Sequence, residues 1–199
     1  MIDDREQERS AILALRRGDV RGLEALVRMY QLRAVRVAYG VVGERQVAED
    51  AAADAFLLVY ERIGQFDKRR PFGPWFYRIV VNCALKAVRG RTVDGGRWTV
   101  ELEGVGDWVD ERVSEAPGPE EAAEQGELRE LLLGLVYDLP AQQRAAVVLK
   151  YYLDMDEATI AEMLGCPLGT VKWRLYAAKG KLRERLVSRS QMGKLDVIV

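Results

Sequence analysis

The sequence contains no histidine and only two cysteines among its 199 residues. Histidine is the commonest general base in enzymes, so its absence argues against most hydrolase mechanisms. Cys83 and Cys166 are far apart and form no CxxC motif, which makes both a metal site and a disulfide framework poor interpretations. There is also no apolar run long enough to cross a bilayer and no signal-peptide pattern. We therefore expect a cytoplasmic protein without membrane insertion, catalytic residues, metal or cofactor.

The charged residues are distributed unevenly along the chain. Hydrophobic residues make up 49% and charged residues 31%, as in an ordinary soluble globular protein, and the net charge is −1. Residues 1–90 nevertheless carry a net charge of +4, residues 91–127 carry −8, and residues 128–199 carry +3. Two basic ends around an acidic middle indicate nucleic acid or another charged partner.

The acidic middle is rich in glycine and proline. It contains Gly95-Gly96 and the run Ala116-Pro-Gly-Pro119, and its apolar residues keep no long period. Such a stretch buries too little surface to offset the entropy lost on ordering. The pattern predicts a flexible acidic linker over residues 91–125, with room for a short strand near residues 97–102.

Both ends of the chain show helical periodicity. Before the linker, apolar spacing predicts helices near residues 23–41, 47–63 and 74–89, and after it near 126–138, 140–152, 156–164 and beyond. The sequence thus predicts an all-α fold of two small helical domains, residues 1–90 and 126–190, followed by a tail over residues 191–199.

The last two helices have the pattern of a helix-turn-helix. Gly165 suits the left-handed backbone that ends a helix. The basic helix after it repeats apolar residues at Val171, Leu175 and Ala178 and carries cations on its other sides. This pattern is typical of a recognition helix in the DNA major groove. The alternative is a helical hairpin with a solvated basic face. The outward positions are predicted to be Lys172, Trp173, Tyr176 and Lys179.

A second candidate DNA-binding surface lies on the helix near residues 74–89. Cations, an aromatic ring and an amide share its outward side, and the basic loop (Phe66–Gly73) precedes it. Rings stack bases, cations bind phosphates and an asparagine bonds a base edge, which suits single-stranded DNA. The alternative is that Trp75 is partly core and the cations only face solvent. The candidates are Phe66, Lys68, Arg69, Arg70, Trp75, Arg78, Asn82, Lys86 and Arg89.

Acidic residues lie along one side of the helix near residues 47–63. Asp50 and Asp54 are one helical turn apart, and Glu49 lies beside them. A solvated surface is one interpretation, and a docking face for a basic partner helix is the other.

Three sequence blocks together resemble one family. The chain resembles the extracytoplasmic-function (ECF) group of sigma-70 RNA polymerase sigma factors over most of residues 20–90 and 126–187. The blocks are Ala48-Glu-Asp50 with Asp54-Ala-Phe56, then Pro71-Phe-Gly-Pro-Trp-Phe-Tyr-Arg-Ile79 with Asn82, and then Leu139-Pro140 through Gly169-Thr-Val-Lys172 to Leu186.

The resemblance implies a role for each surface. The helix bearing Glu49, Asp50 and Asp54 is expected to dock on the clamp helices of the largest subunit of core RNA polymerase. The basic loop and the Asn82 helix are expected to read the melted −10 element, with one base flipped from the stack at a cost of a few kcal/mol. The final two helices are expected to read the −35 duplex and to dock on the beta-flap. The acidic linker is expected to follow the active-site cleft and the RNA exit path, and an anti-sigma factor is an expected partner. The implied −35 contacts are Thr170, Lys172, Trp173, Arg174, Tyr176 and Lys179.

The chain also departs from the family pattern. Ala53 stands where glutamine is frequent, and Lys86 where an acidic residue is common. Trp173 replaces a usual serine and Ala177 a frequent arginine on the recognition helix. The last two differences leave the preferred −35 sequence open.

Two other classes of protein compete with a sigma factor. A stand-alone helix-turn-helix regulator would need a ligand pocket or a dimer face in its N-terminal half, where this chain has a basic aromatic loop and an acidic helix. An enzyme acting on nucleic acid would need a histidine, a metal cluster or a phosphate-binding glycine motif, none of which the sequence contains.

Overall fold

Helices form every regular element in the described part of the chain. The structure is a computed structural model that describes residues 4–93 and 134–195. The all-α prediction is confirmed within those ranges, where no helix is long and apolar enough to span a membrane. The chain divides into two units, Met1–Arg97 and Trp98–Val199. Residues 91–93, the start of the predicted linker, belong instead to the helix that ends at Val93. The rest of the predicted linker, the short strand near 97–102 and most of the predicted helix 126–138 lie outside the described residues, so the domain boundaries stay a prediction.

The N-terminal unit contains one more helix than the sequence analysis predicted. The additional helix, α1, packs against α2 through buried Ala11, Ile12 and Leu15. This helix has few apolar residues among many charged ones, so the apolar periodicity of the sequence did not reveal its buried face. The helices of this unit are α1 (Asp4–Arg16), α2 (Arg21–Val42), α3 (Arg45–Arg62), a 3₁₀ turn (Ile63–Gln65) and α4 (Phe72–Val93).

The core of this unit lies between α2, α3 and α4. Phe56 and Phe76 approach to 4.9 Å between ring centroids, and Phe72 stacks on Phe76 at 5.7 Å. Apolar spacing along α4 also predicts that Ile79, Cys83 and Ala87 face inward, but these three side chains are only half-buried. Because α4 packs on both α2 and α3, its buried side chains cover a wider part of the helix surface than a single apolar stripe would. The buried side chains are Phe72, Phe76, Tyr77, Val80, Val81, Ala84, Leu85 and Val88.

Helix α1 is held close to α2 and to the basic loop. Gly22 faces α1 so closely that a Cβ at this position would lie 2.4 Å from the Ala11 carbonyl oxygen. The Arg16 guanidinium donates a hydrogen bond of 2.8 Å to the carbonyl oxygen of Phe66. The start of the basic loop is therefore positioned by α1.

The C-terminal unit continues with a helical turn at 134–137 and three further helices. They are α5 (Ala141–Val147, extended by a π-helical segment, Val148–Tyr152), α6 (Glu157–Leu164) and α7 (Leu168–Leu195). Arg144 is buried and donates hydrogen bonds to the carbonyl oxygens of Tyr137 at 2.6 Å and Leu139 at 3.0 Å. Its burial lowers the pKa of the guanidinium. These bonds fasten the helical turn to α5.

Candidate nucleic-acid interface

The basic loop is shaped by a side chain within it. The Asp67 carboxylate accepts hydrogen bonds from the Arg69 backbone N–H at 3.1 Å and from the Arg69 guanidinium at 3.0 Å, and its own carbonyl accepts from the Arg70 N–H at 2.9 Å. This is an Asx-type turn. The bonds to Arg69 lower the pKa of the Asp67 carboxyl group. Lys68, Arg69 and Arg70 are consequently presented on an exposed, defined turn.

Phe66 is a correction to the predicted set of DNA contacts. Its side chain is only 4% exposed, and its ring lies 5.4 Å from Phe72 and 5.1 Å from Trp75 between centroids. A ring buried on these neighbours cannot also stack on a base. Phe66 therefore anchors the loop in the core, while half-exposed Trp75 covers it.

The outward face of α4 is polar and basic. Arg78, Asn82, Lys86 and Arg89 are all exposed, and their spacing of four, four and three residues places them along one side of the helix. The face is about 16 Å long at 1.5 Å per residue. It begins beside the basic loop, so the structure brings these two groups of predicted residues onto adjoining surfaces.

The predicted docking face on α3 is acidic, and it is also apolar. Asp50 and Asp54 are exposed, whereas Glu49 is half-buried and pairs with Arg45 at 2.9 Å. Leu57 is 61% exposed and Tyr60 47% exposed. The sequence analysis missed these two side chains, although their offsets of seven and ten residues from Asp50 match a helical stripe.

The turn between α6 and α7 has the geometry of a helix-turn-helix. Asp156 caps α6 by accepting hydrogen bonds from the Thr159 N–H at 2.9 Å and from its hydroxyl at 2.6 Å. Gly165 ends α6 with a positive φ of 60°, as predicted. Val171, Leu175 and Ala178 of α7 are buried. These apolar contacts fix which side of α7 faces outward.

The exposed side of α7 presents aromatic rings among cations. Lys172 is exposed, Trp173 is 62% exposed and Tyr176 is 79% exposed, while Thr170 is half-buried at the start of the helix. Trp173 and Tyr176 are three residues apart, so their rings lie on the same side of the helix. The predicted outward face thus agrees with the structure at these positions.

Two predicted cations on α7 have partners within the unit. Arg174 is half-buried, and its Nη1 lies 3.5 Å from the Cys166 sulfur in the turn. The Lys179 ammonium lies 5.7 Å from the ring centroid of Tyr151, a half-exposed residue of the π-helical segment. Hydrogen bonding to Tyr151 raises the pKa of Lys179. Sequence reasoning missed Tyr151, because nothing in its spacing indicates contact with α7.

Within 4–93 and 134–195, no group of three or more histidine, cysteine, aspartate or glutamate side chains is arranged to hold a metal ion. Two grooves of the N-terminal unit are open and are lined by charged side chains among others.

Two family models match the chain. Residues 26–93 match the model of sigma-70 region 2, and residues 129–182 match the model of sigma-70 region 4. The first range covers α2, α3, the basic loop and α4, and the second covers α5, α6 and the exposed start of α7.

Curated relatives match along most of their length. The chain is 30% identical over 179 residues to the ECF RNA polymerase sigma factor SigW of Bacillus subtilis, covering 88% of this chain and 94% of SigW. It is 29% identical over 187 residues to the RNA polymerase sigma-H factor of Pseudomonas aeruginosa, covering 91% and 94%. It is 31% identical over 172 residues to the RNA polymerase sigma-E factor of Streptomyces coelicolor, covering 86% and 90%.

Solved structures show the same fold. CnrH, solved in complex with the cytosolic domain of CnrY, has a TM-score of 0.61 at 20% identity, covering 92% of this chain and 98% of that one. The sigma factor RpoE of Bartonella quintana, solved with the anti-sigma factor NepR, has a TM-score of 0.59 at 21% identity, covering 78% and 91%. By its two matched regions and its full-length relatives, the chain belongs to the ECF group of the sigma-70 family and is a promoter-specific transcription initiation factor.

Proposed function

We propose that the two units divide promoter recognition between them. The N-terminal unit binds the melted −10 element on the α4 face and the basic loop, and the C-terminal unit binds the −35 element as duplex through α7. The observation that carries this proposal is the pair of exposed basic surfaces, one in each unit.

Single-stranded DNA fits the N-terminal surface for chemical reasons. Asn82 offers both a donor and an acceptor to a base edge and stands between Arg78 and Lys86 on the same side of α4. Cations on either side of an amide hold the backbone while the amide reads the base. Lys68 and Arg70 on the loop extend the same basic surface.

Duplex DNA fits the C-terminal surface. Lys172 near the N-terminus of α7 can donate to guanine O6 and N7. Trp173 packs on thymine methyl groups or on sugar, because its single N–H is poorly placed for a bidentate base contact. Lys179 binds a phosphate and sets the register, and Tyr151 orients its ammonium. Half-buried Thr170 and Arg174 hold the start of α7 and its turn near the sugar-phosphate backbone of the DNA.

Helix α3 provides the docking surface for core RNA polymerase. Asp50 and Asp54 supply negative charge for a basic helix of the clamp, and exposed Leu57 supplies apolar area beside them. The charges direct the encounter with polymerase, whereas Leu57, which becomes buried in the complex, contributes most of the affinity. The beta-flap is the expected second contact, through the C-terminal unit.

The chain acts as a non-enzymatic subunit in the cytoplasm, where core polymerase and promoter DNA are found. An anti-sigma factor is a further partner in this proposal, supported by two solved structures of the same fold, one in complex with the cytosolic domain of CnrY and one with the anti-sigma factor NepR.

Reconstitution with core RNA polymerase tests the division of labour. We expect start sites at a defined set of promoters with the complete holoenzyme, and weak, unspecific duplex binding by the free chain. Tight promoter-specific footprints from the free chain would contradict the proposal, because each isolated surface reads only one of the two elements.

A single substitution tests the −10 surface. Asn82→Ala removes one base-edge contact, which is worth about 1–3 kcal/mol, so promoter melting detected by permanganate should fall by about tenfold while initial holoenzyme binding is retained. Gln31→Ala, an exposed amide on α2, is the matched control. Unchanged melting in the Asn82→Ala holoenzyme would remove Asn82 from the reading surface.

A further inference from the structure

Helix α1 and the basic loop enclose a groove in the N-terminal unit. The groove has a volume of about 850 Å³, which lies within the range of about 300–1,000 Å³ typical of ligand sites. Arg5, Glu8 and Arg9 of α1 form one wall. The basic loop forms the opposite wall, and Tyr30 lies between them. The sigma-70 region 2 match begins at residue 26, so α1 lies outside it.

The charged residues of the groove indicate which kind of molecule binds there. Arg5 and Arg9 face it from one side, and Lys68, Arg69 and Arg70 face it from the other. Glu8 is the one carboxylate among the groove residues in the described part of the chain, and it accepts a hydrogen bond from the Tyr30 hydroxyl. Arg69 is paired with Asp67 within the loop at 3.0 Å. Arg5, Arg9 and Lys68 add further positive charge around the groove, and that charge attracts an anionic ligand.

The wall formed by α1 is fixed in place relative to the loop. Arg16 binds the Phe66 carbonyl oxygen at 2.8 Å, and Gly22 allows α1 to lie directly on α2. Arg5 and Arg9 are one helical turn apart, so both point to the same side of α1. Both side chains are exposed. Two guanidinium groups on one side of a helix are well suited to phosphate, which guanidinium binds in a bidentate manner.

We propose that α1 is a DNA-binding element in which Arg5 and Arg9 bind backbone phosphates of single-stranded DNA passing between α1 and the basic loop. The proposal rests on the −10 role of the N-terminal unit and adds a second wall to it. The ligand is the phosphodiester backbone, and these two arginines contribute affinity without reading sequence.

Holoenzyme made with the full-length chain tests the proposal on a promoter whose −10 region is already unpaired. Arg5→Gln/Arg9→Gln is compared with Arg17→Gln/Arg28→Gln, a pair of exposed arginines of the same unit outside this groove. Two lost phosphate contacts on a single strand should make the slope of log K against log[salt] shallower by about 1.4. Affinity in low salt should fall by about tenfold. The control pair should match the wild type, and Arg5→Lys/Arg9→Lys should restore most of the slope because it keeps both charges.

A scan with neutral methylphosphonates locates the contact. Each phosphate of both strands in the unpaired region is replaced in turn. In the wild type, one or two positions should weaken binding, and the same positions should have no effect in Arg5→Gln/Arg9→Gln. Identical scans for the two proteins would overturn the proposal, as would a variant that binds DNA normally and loses only affinity for an anti-sigma factor. Wild-type holoenzyme that fails to select the promoter would instead overturn the proposed −10 role.

Discussion

Replacing Gly22 by alanine should separate α1 from α2 and so disturb the basic loop. Two effects of opposite sign compete at this position. Alanine favours a helix over glycine by about 1 kcal/mol. Against this, the new Cβ would lie 2.4 Å from the Ala11 carbonyl oxygen and 2.5 Å from the Leu15 backbone nitrogen.

The steric effect should dominate. Ordinary contact between heavy atoms requires about 3.5 Å, so α1 would have to move by about 1 Å. Both clashing atoms belong to the helix backbone and cannot rotate away. Overpacking of this kind typically costs about 1–3 kcal/mol and occasionally more. We expect a net loss of up to about 2 kcal/mol and weakening of the Arg16 hydrogen bond to Phe66.

Hydrogen exchange of the N-terminal unit in increasing urea measures this loss separately from the other unit. Gly90→Ala in α4 is the matched control, because nothing lies within 4 Å of its added Cβ, and it should stabilise the unit by up to about 1 kcal/mol. The protection of α1 amides and the rate of open-complex formation should both fall only in Gly22→Ala. Equal stabilisation by both alanines would refute the reasoning that α1 is held in direct backbone contact with α2.

Three further predictions concern the C-terminal unit. Trp173→Ser should change the sequence recovered from a randomised −35 selection, and recovery of the same motif would place Trp173 off the reading face. Tyr151→Ala should weaken −35 duplex binding about two- to fivefold across sequences, because it removes a cation–π contact to Lys179. Tyr151→Phe keeps the ring and should bind nearly normally in the same titration. Hydrogen bonds from Thr159 lower the pKa of Asp156, so this carboxylate stabilises the fold above its ordinary pKa of 3.8 and loses that effect as the pH falls through the lowered value. Asp156→Asn should therefore be less stable than the wild type at neutral pH in thermal unfolding, with the difference closing in acid; a constant difference across pH would contradict the role of the charge.

The sequence was sufficient for the features that depend on local periodicity. Val171, Leu175 and Ala178 recur at helical spacing, so their burial and the exposure of Lys172, Trp173 and Tyr176 followed directly. Glycine conformational freedom predicted the left-handed end of α6. The family, the all-α fold and the function in transcription initiation are confirmed, while the individual DNA and polymerase contacts stay predictions.

The tertiary structure alone decided how side chains from separate helices share space. Phe66 and Trp75 are both aromatic and close in sequence, yet packing on Phe72 buries the first and leaves the second half-exposed. The contact of Tyr151 with Lys179 and that of Arg16 with the Phe66 carbonyl join residues 28 and 50 positions apart. Periodicity reports which side of a helix is apolar, but not which other helix covers it. For that reason the groove between α1 and the basic loop became visible only in the folded chain.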